Sequence, residues 1–142
     1  MLKTICILFF LCLGALYCDA QQQDTLKNGY VKFYYPSGYL SSEGTMRDAK
    51  PDGYWKNYYP NGVLKSEGNR LNFELDSIWK FYDDSARLLV SITYKNDKKN
   101  GLKTTYREGE ITTENFVNDT KQGPTTYYYP NGKVRLIINF IN

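Results

Sequence analysis

One phrase returns along the chain. The run Tyr34–Gly44 reads YYPSGYLSSEG, the run Tyr58–Gly68 reads YYPNGVLKSEG, and Tyr128–Val134 repeats the first half as YYPNGKV. A phrase that recurs at a nearly fixed step indicates a repeat protein, in which small units stack on their neighbours. Stacked units form an extended surface rather than one enclosed pocket, so the pattern favours binding over catalysis at a single site.

Five units align on the residue that opens each of them. Neighbouring openers are 24, 24, 24 and 22 residues apart, which sets the units at 29–52, 53–76, 77–100, 101–122 and 123–142. A tyrosine stands five residues after each opener, and a turn sequence follows it. Unit four is one residue short at its turn and one short later, which accounts for the last step. The repeat-defining residues are Gly29, Tyr34, Gly38, Gly53, Tyr58, Gly62, Tyr82, Gly101, Tyr106, Gly109, Gly123, Tyr128 and Gly132, with Ser77 opening unit three.

The local patterns inside a unit predict a β-hairpin. Proline presets its own φ and Asn-Gly tolerates a positive φ, so Pro60-Asn61-Gly62 between two aromatic runs is a turn sequence. The flanks alternate with period two, as in Val134, Leu136, Ile138 and Phe140, and are rich in Tyr, Ile, Val and Thr. Each hairpin is predicted to join the next through a polar turn, such as residues 95–101.

The pattern Gly-x-Trp-Lys-x-Tyr-Tyr-Pro-Asn-Gly-x-Leu-x-x-Glu-Gly, which runs from Gly53 to Gly68, resembles the MORN-repeat variant family of bacteria. That family includes YwqK-type antitoxins of toxin–antitoxin modules. The resemblance extends from Gly29 to about Asn142; it is specific in unit two, good in units one and five, and degraded in units three and four. It implies an all-β fold in which tandem β-hairpin repeats of about 24 residues form one elongated, twisted antiparallel sheet. An antitoxin role is a further implication.

The N-terminal segment has the features of a secretory signal. A basic start precedes the apolar run Ile5–Leu16, and Cys18-Asp19-Ala20 places small residues before a cleavage site. We therefore predict a signal peptide at 1–20, a flexible linker at 21–28, and one repeat domain at 29–142. Export would place the protein in the periplasm or outside the cell. Two alternatives are a membrane anchor and cleavage as a lipoprotein before Cys18.

Cysteine and histidine usage restricts the possible chemistry. All three cysteines lie within 1–20, and the chain has no histidine. The segment after 20 therefore cannot form disulfides, a zinc site built on histidine or cysteine, or a Ser-His-Asp or Cys-His catalytic centre. We predict no cofactor. The formal net charge is +3 and charges of both signs are interleaved, which argues against a nucleic-acid partner.

Period-two alternation assigns the aromatic residues to two faces. The tyrosine face carries the five repeat tyrosines together with Tyr30, Tyr54, Ile78 and Leu102; it is expected to be the apolar side. The opposite, tryptophan face is a candidate partner-binding surface, although its rings could simply stabilise the sheet through cross-strand packing. Its candidate residues are Phe33, Tyr35, Trp55, Tyr59, Trp79, Phe81, Tyr127 and Tyr129.

Two charged groups suggest other activities. The carboxylates of Asp83, Asp84, Glu108 and Glu110 could serve hydrolysis, with the aromatic residues lining a sugar site as in a glycosidase. They stand at hairpin turns, however, where solvated acids are common, and we expect no enzyme activity. A lysine cluster could contact a membrane surface or simply form a soluble loop. Its members are Lys95, Lys98, Lys99 and Lys103.

The most apolar strand is Val134–Ile141. An exposed apolar edge invites pairing with another chain, so this strand could form a homodimer, accept a strand from a partner, or lie inside a longer repeat array. Taken together, the sequence predicts an exported, non-enzymatic interaction or scaffold protein whose partner is another protein. The alternatives are an immunity protein of a toxin–antitoxin pair and a protein that binds carbohydrate or a membrane surface.

Overall fold

The computed structural model describes residues 27–139. It contains ten antiparallel strands in one open sheet, and each strand pairs with its neighbours in sequence. The all-β prediction of tandem hairpins is therefore confirmed. No helix within 27–139 is long and apolar enough to cross a membrane. The strands are β1 Gly29–Tyr34, β2 Leu40–Arg47, β3 Lys50–Tyr58, β4 Leu64–Leu71, β5 Glu74–Tyr82, β6 Leu88–Lys95, β7 Lys98–Arg107, β8 Glu110–Val117, β9 Thr120–Tyr128 and β10 Val134–Ile138.

Three predicted features extend beyond the described part of the chain. The signal peptide at 1–20 and the linker up to residue 26 lie outside the described residues, as do residues 140–142, which include the end of the predicted last strand. Of the linker, the structure describes Lys27 and Asn28. The Lys27 carbonyl accepts a hydrogen bond from the Ala49 amide at 2.8 Å, so the linker already contacts the sheet at this point.

The hairpin turn inside a unit has three residues. In unit one the Tyr35 amide donates to the Tyr39 carbonyl at 2.8 Å, and the Gly38 amide donates to the Tyr35 carbonyl at 2.9 Å. The same bonds close units two, three and five. This is a tight turn followed by one residue in the left-handed region, which glycine adopts without strain. Unit four instead joins Arg107 to Glu110 through two residues with no register shift, as its missing residue predicts.

The turns between units are tighter than predicted. Each has only two residues, both with positive φ, which is the geometry of a type I′ turn. In the third of these turns, Lys95 pairs directly with Lys98, so the polar loop predicted at 95–101 shrinks to Asn96-Asp97. Type I′ turns match the twist of the flanking strands and therefore keep the sheet continuous. The four turns are Asp48-Ala49, Asn72-Phe73, Asn96-Asp97 and Asn118-Asp119.

Unit three carries two strained backbone positions. Ser77 has a φ of 60° and Ala86 a φ of 65°, at positions where the other units have glycine with a positive φ. A side chain in the left-handed region costs roughly 1–2 kcal/mol, and part of that cost is offset because glycine makes the unfolded chain more flexible. We expect Ser77→Gly and Ala86→Gly each to raise the free energy of unfolding by about 0.5–1 kcal/mol.

Urea titration of the variants tests this expectation. Ser85→Gly serves as the control, because Ser85 neighbours Ala86 but does not have a positive φ, so this change should lower stability. If both glycine variants at positions 77 and 86 unfolded at lower urea concentration than the parent chain, the proposed strain would be absent.

The core lies on the tryptophan face. Val31, Met46, Trp55 and Trp79 form the buried cluster, and Leu75, Phe81 and Tyr94 pack against it. The tyrosine face, which was expected to be the apolar side that forms the core, is instead the exposed side, so that expectation was wrong. Four of its side chains are 52–60 % exposed, whereas Trp55 and Trp79 are 6 % and 3 % exposed. The four exposed residues are Tyr30, Tyr54, Ile78 and Leu102.

Candidate binding surfaces

Glycines on neighbouring strands allow the two indoles to lie against the sheet. A Cβ atom at Gly44 would stand 2.2 Å from Cε3 of Trp55, and one at Gly68 would stand 2.3 Å from Cδ2 of Trp79. Neither separation is tolerable, so each ring occupies the space that a side chain on the preceding strand would fill. The glycine that ends the repeated phrase therefore leaves space for the tryptophan of the next unit. This steric relation explains why the tryptophan face became the core.

The pattern changes where the glycine is absent. Ile92 occupies the glycine position on β6, and the residue opposite it on β7 is Lys103 rather than tryptophan. The Lys103 ammonium binds a carboxylate oxygen of Glu114 at 2.9 Å, and Lys121 binds the other oxygen at 3.4 Å. The hydrogen bond from Lys103 is the main cause that lowers the pKa of Glu114. On this face, an ion-paired lysine in unit four therefore replaces the tryptophan of units two and three.

The remaining candidate rings on the tryptophan face mostly stabilise the sheet. The hydroxyl of Tyr35 donates to the Tyr58 carbonyl at 2.7 Å, and the hydroxyl of Tyr59 donates to the Tyr82 carbonyl at 2.9 Å, so both connect one hairpin to the next. Phe33 packs 6.5 Å from Trp55, centroid to centroid, and Phe81 packs 6.4 Å from Trp79.

Two of the eight candidates are closed to a partner in this fold. Trp55 and Trp79 are buried, so a partner that docks on the surface as it stands does not reach their rings. Phe33 and Tyr129 are exposed, and Tyr35, Tyr59, Phe81 and Tyr127 are partly buried. A partner-binding role for this face stays a prediction.

The tyrosine face presents a row of exposed apolar side chains. Tyr30, Tyr54, Ile78 and Leu102 lie on β1, β3, β5 and β7, and each stands opposite a small polar residue on the next strand. Alternate strands of a sheet lie about 9.5 Å apart, so the four side chains are evenly spaced across seven strands. We call these four residues the apolar row. The polar residues opposite them are Thr45, Asn69, Thr93 and Asn115.

A row of alternating charges runs beside the apolar row. On the first five strands, lysine and glutamate pair directly across every strand boundary. Opposite charges at such positions stabilise an antiparallel pair by roughly 0.2–1 kcal/mol. On β6 to β9 the row continues with serine and threonine. The charge row consists of Lys32, Glu43, Lys56, Glu67 and Lys80.

Both glutamates of the charge row accept hydrogen bonds from repeat tyrosines. The Tyr58 hydroxyl donates to Glu43 at 2.6 Å, and the Tyr82 hydroxyl donates to Glu67 at 2.8 Å. The bonds from Tyr58 and Tyr30 lower the pKa of Glu43. These glutamate contacts were not predicted from the sequence. The signal was present, because lysine and glutamate recur at matched positions of successive hairpin arms.

Ionisation of the tyrosine hydroxyls in these pairs is expected to lower the stability of the fold at high pH. Burial, followed by the hydrogen bond to Glu67, raises the pKa of Tyr82 from 10.0 to about 12. A folded-state pKa above the unfolded value means that the contribution to stability is complete below pH 10.0 and is lost as the pH rises through about 12. We therefore expect the urea midpoint of unfolding to fall across this window.

Tyr82→Phe isolates the contribution of this hydroxyl. Phenylalanine cannot ionise, so the variant should start less stable by roughly 0.5–1.5 kcal/mol and should lose less stability between pH 10 and 12 than the parent chain does. Tyr34→Phe, a change of an exposed repeat tyrosine, is the matched control. An identical pH dependence in Tyr82→Phe and the parent chain would contradict the role of the Tyr82–Glu67 bond.

The acidic residues at the turns are engaged in local contacts. One oxygen of Asp83 accepts the amides of Ser85 and Arg87 at 3.0 and 2.9 Å, and the other binds the Arg87 side chain at 2.7 Å. These bonds lower the pKa of Asp83, whereas a general acid needs a raised one. Asp83 and Glu108 both line a groove of about 500 Å³, whereas Asp84 and Glu110 do not line it. Glu110 pairs with Arg135.

The predicted lysine cluster is divided between different sites. Lys95 pairs with Lys98 beside a turn, which places two like charges across from each other. Lys99 lies over the ring of Phe116, with its ammonium 4.8 Å from the ring centroid, and Lys103 binds Glu114. The four lysines therefore do not form one free basic patch.

Comparison with known proteins identifies the repeat. The family described as MORN repeat variant matches residues 27–48, 51–72 and 121–142. These segments coincide with units one, two and five, whereas units three and four contain the Ser77, Ala86 and Lys103 departures. No curated protein matches the chain. The regular hairpins and the three matched segments show that units one, two and five of the chain are repeats of the MORN-variant type.

Proposed function

We propose that the chain is a non-enzymatic repeat protein that binds another protein through its tyrosine face. The observation that carries this proposal is the apolar row, whose four large side chains are more than half exposed and lie on one face of a continuous sheet. Large apolar side chains that are exposed together on one face of a protein commonly mark an interaction site. Tyrosine is enriched among the residues that contribute most binding energy at protein interfaces.

The charge row would let this surface distinguish one partner protein from another. Lys32, Lys56 and Lys80 alternate with carboxylates whose positions are fixed by tyrosine hydroxyls. Fixed charges beside an apolar strip favour a partner with the complementary order and repel others. The partner surface that fits is an apolar ridge flanked by alternating charges. Because the strands fix the backbone of these residues, binding orders side chains but not loops, which keeps the loss of conformational freedom small.

Export belongs to the proposal as well. We propose that residues 1–20 direct the chain to the periplasm or the exterior and are removed. Sequencing the N-terminus of the protein recovered from the envelope fraction checks this, because cleavage after Ala20 leaves Gln21 as the first residue. Recovery of an intact N-terminus from the cytoplasm would contradict export.

Affinity capture with paired variants tests the binding surface. The full chain is immobilised and exposed to an envelope extract of the organism that encodes it, and retained proteins are identified by mass spectrometry. Tyr54→Ser with Ile78→Ser interrupts the apolar row. Phe33→Ser with Tyr129→Ser changes the exposed rings of the tryptophan face and is the matched control. Both variants must first show a cooperative thermal transition.

The two variants separate the two faces. We expect a partner that survives high salt to bind the tyrosine-face variant at least about 30-fold more weakly, since interface hot spots contribute 2 kcal/mol or more. The control variant should retain this partner as strongly as the parent chain does. The reverse result would assign binding to the tryptophan face, and unchanged retention by both variants would overturn the proposal. A toxin as the retained protein would identify the antitoxin alternative.

A further inference from the structure

We propose that copies of this chain associate head to tail, with β10 of one copy pairing with β1 of the next. Within residues 27–139, β1 pairs only with β2, and β10 pairs only with β9. One edge of each strand therefore presents backbone N–H and C=O groups ready for another strand. All five residues of β10 are exposed, and four of them are apolar. An exposed apolar edge of this kind favours pairing with a further strand.

The repeat makes the two edges complementary. Every even-numbered strand before β10 pairs on its outer side with the odd-numbered strand that opens the next unit. Among the described residues, β10 is an even-numbered strand without that partner, and β1 is an odd-numbered strand without the preceding one. A second copy supplies what each edge lacks. The pairing is antiparallel, as it is at every other unit boundary.

The register of the proposed contact follows from the equivalent positions. Ile137 pairs with Thr126 as Glu43 pairs with Lys32, so Ile137 occupies the position of Glu43. Glu43 pairs on its outer side with Lys56, whose equivalent on β1 is Lys32. Ile137 of one copy therefore faces Lys32 of the next. By the same equivalence, Leu136 faces Phe33 and Ile138 faces Val31.

The side chains at these edges fit each other. A tryptophan on an odd-numbered strand requires glycine on the preceding even-numbered strand, as Trp55 requires Gly44. Ile138 occupies the glycine position and would exclude a tryptophan opposite it, but β1 carries Val31 there. Ile92 opposite Lys103 is the same arrangement inside the chain, an isoleucine facing a residue that is not tryptophan. Leu136 and Phe33 add an apolar pair beside it.

This contact joins two different surfaces, so it leaves a free β1 edge and a free β10 edge at the ends of every assembly. Such heterologous pairing grows into open chains rather than closed dimers. A single strand pair buries less surface than a standard protein interface, so we expect association at concentrations on the order of 0.1 mM.

Disulfide cross-linking distinguishes head-to-tail pairing from a two-fold homodimer. In the full chain with Cys6, Cys12 and Cys18 replaced by serine, Lys32→Cys and Ile137→Cys are introduced together and singly. Directly opposite residues of an antiparallel pair are close enough for a disulfide. The two positions of one copy lie about 43 Å apart across nine strand spacings, so the doubly substituted chain cannot close on itself in the open sheet.

The cross-linked species identify the pairing. On oxidation at about 0.1 mM, we expect a ladder of dimers, trimers and larger species from the double variant. An equimolar mixture of the two single variants should stop at dimers, and neither single variant alone should cross-link. Dimers from Ile137→Cys alone would overturn the proposal in favour of two-fold pairing. A folded double variant that stays monomeric would overturn it as well.

Charge substitutions provide a second readout. Ile137→Glu recreates the glutamate–lysine pair of the internal boundaries, and we expect it to tighten association about 2- to 5-fold by sedimentation equilibrium. Ile137→Lys should weaken association by a similar factor, and adding Lys32→Glu should restore it. Ile137 is exposed, so these changes leave the fold intact. An effect of position 137 that does not depend on residue 32 would overturn the register.

Discussion

Replacing Trp79 with alanine is expected to lower the free energy of unfolding by about 3–5 kcal/mol. Trp79 is the most buried ring of the core cluster. Its indole N–H donates to the Asn69 carbonyl at 2.7 Å, and the Arg70 guanidinium lies 5.6 Å from its ring centroid. The alanine variant would lose this burial and leave a cavity that the sheet beneath it cannot collapse to fill.

Urea denaturation of the variant measures the loss. Ile78→Ala is the matched control, because Ile78 precedes Trp79 on the same strand but lies on the exposed tyrosine face. This control should change stability by about 0.5 kcal/mol or less, as surface substitutions usually do. Equal losses in the two variants would mean that the tryptophan face does not contain the core.

Gly68→Ala is expected to lower the free energy of unfolding by about 2–3 kcal/mol. The new methyl group would stand 2.3 Å from Cδ2 of Trp79, so the indole must leave its site on the sheet. Gly68 is not among the positive-φ residues, so the loss would come from overpacking rather than from backbone strain. Few alanine substitutions in a strand should be so costly, since alanine itself adopts extended backbone readily.

The double variant Gly68→Ala with Trp79→Ala separates overpacking from other effects. Once the indole is absent, the methyl group introduced at position 68 has room, so the double variant should be about as stable as Trp79→Ala alone. The two single losses are therefore expected to be non-additive by about 2–3 kcal/mol, which lies within the range found for residues in contact. Additive losses would show that the glycine does not make room for the ring.

Most of the architecture was predictable because it rests on local chemistry. The Pro-Asn-Gly turns, the period-two alternation and the constant spacing of the tyrosines each indicate hairpins within a few residues of sequence. The missing residue in unit four correctly predicted its two-residue turn. Divergence in units three and four was also visible, and the family match omits both.

The choice of buried face was not predictable from the same patterns. The tyrosine face is apolar in every unit, and counting apolar residues made it the expected core. The deciding residues were Gly44 and Gly68, which have no side chain and therefore do not register in such a count. Their effect depends on which strand residue comes to lie beside them, and that requires the register between neighbouring hairpins.

Hydroxyl-radical footprinting of the full chain, alone and with its retained partner, tests the central claim that the tryptophan face holds the core and the tyrosine face meets the partner. We expect Tyr30 and Tyr54 to be oxidised in the free chain and protected in the complex, while Trp55 and Trp79 stay protected in both. Rapid oxidation of both tryptophans in the free chain, or protection that appears on Phe33 and Tyr129 instead of Tyr30 and Tyr54, would contradict the account.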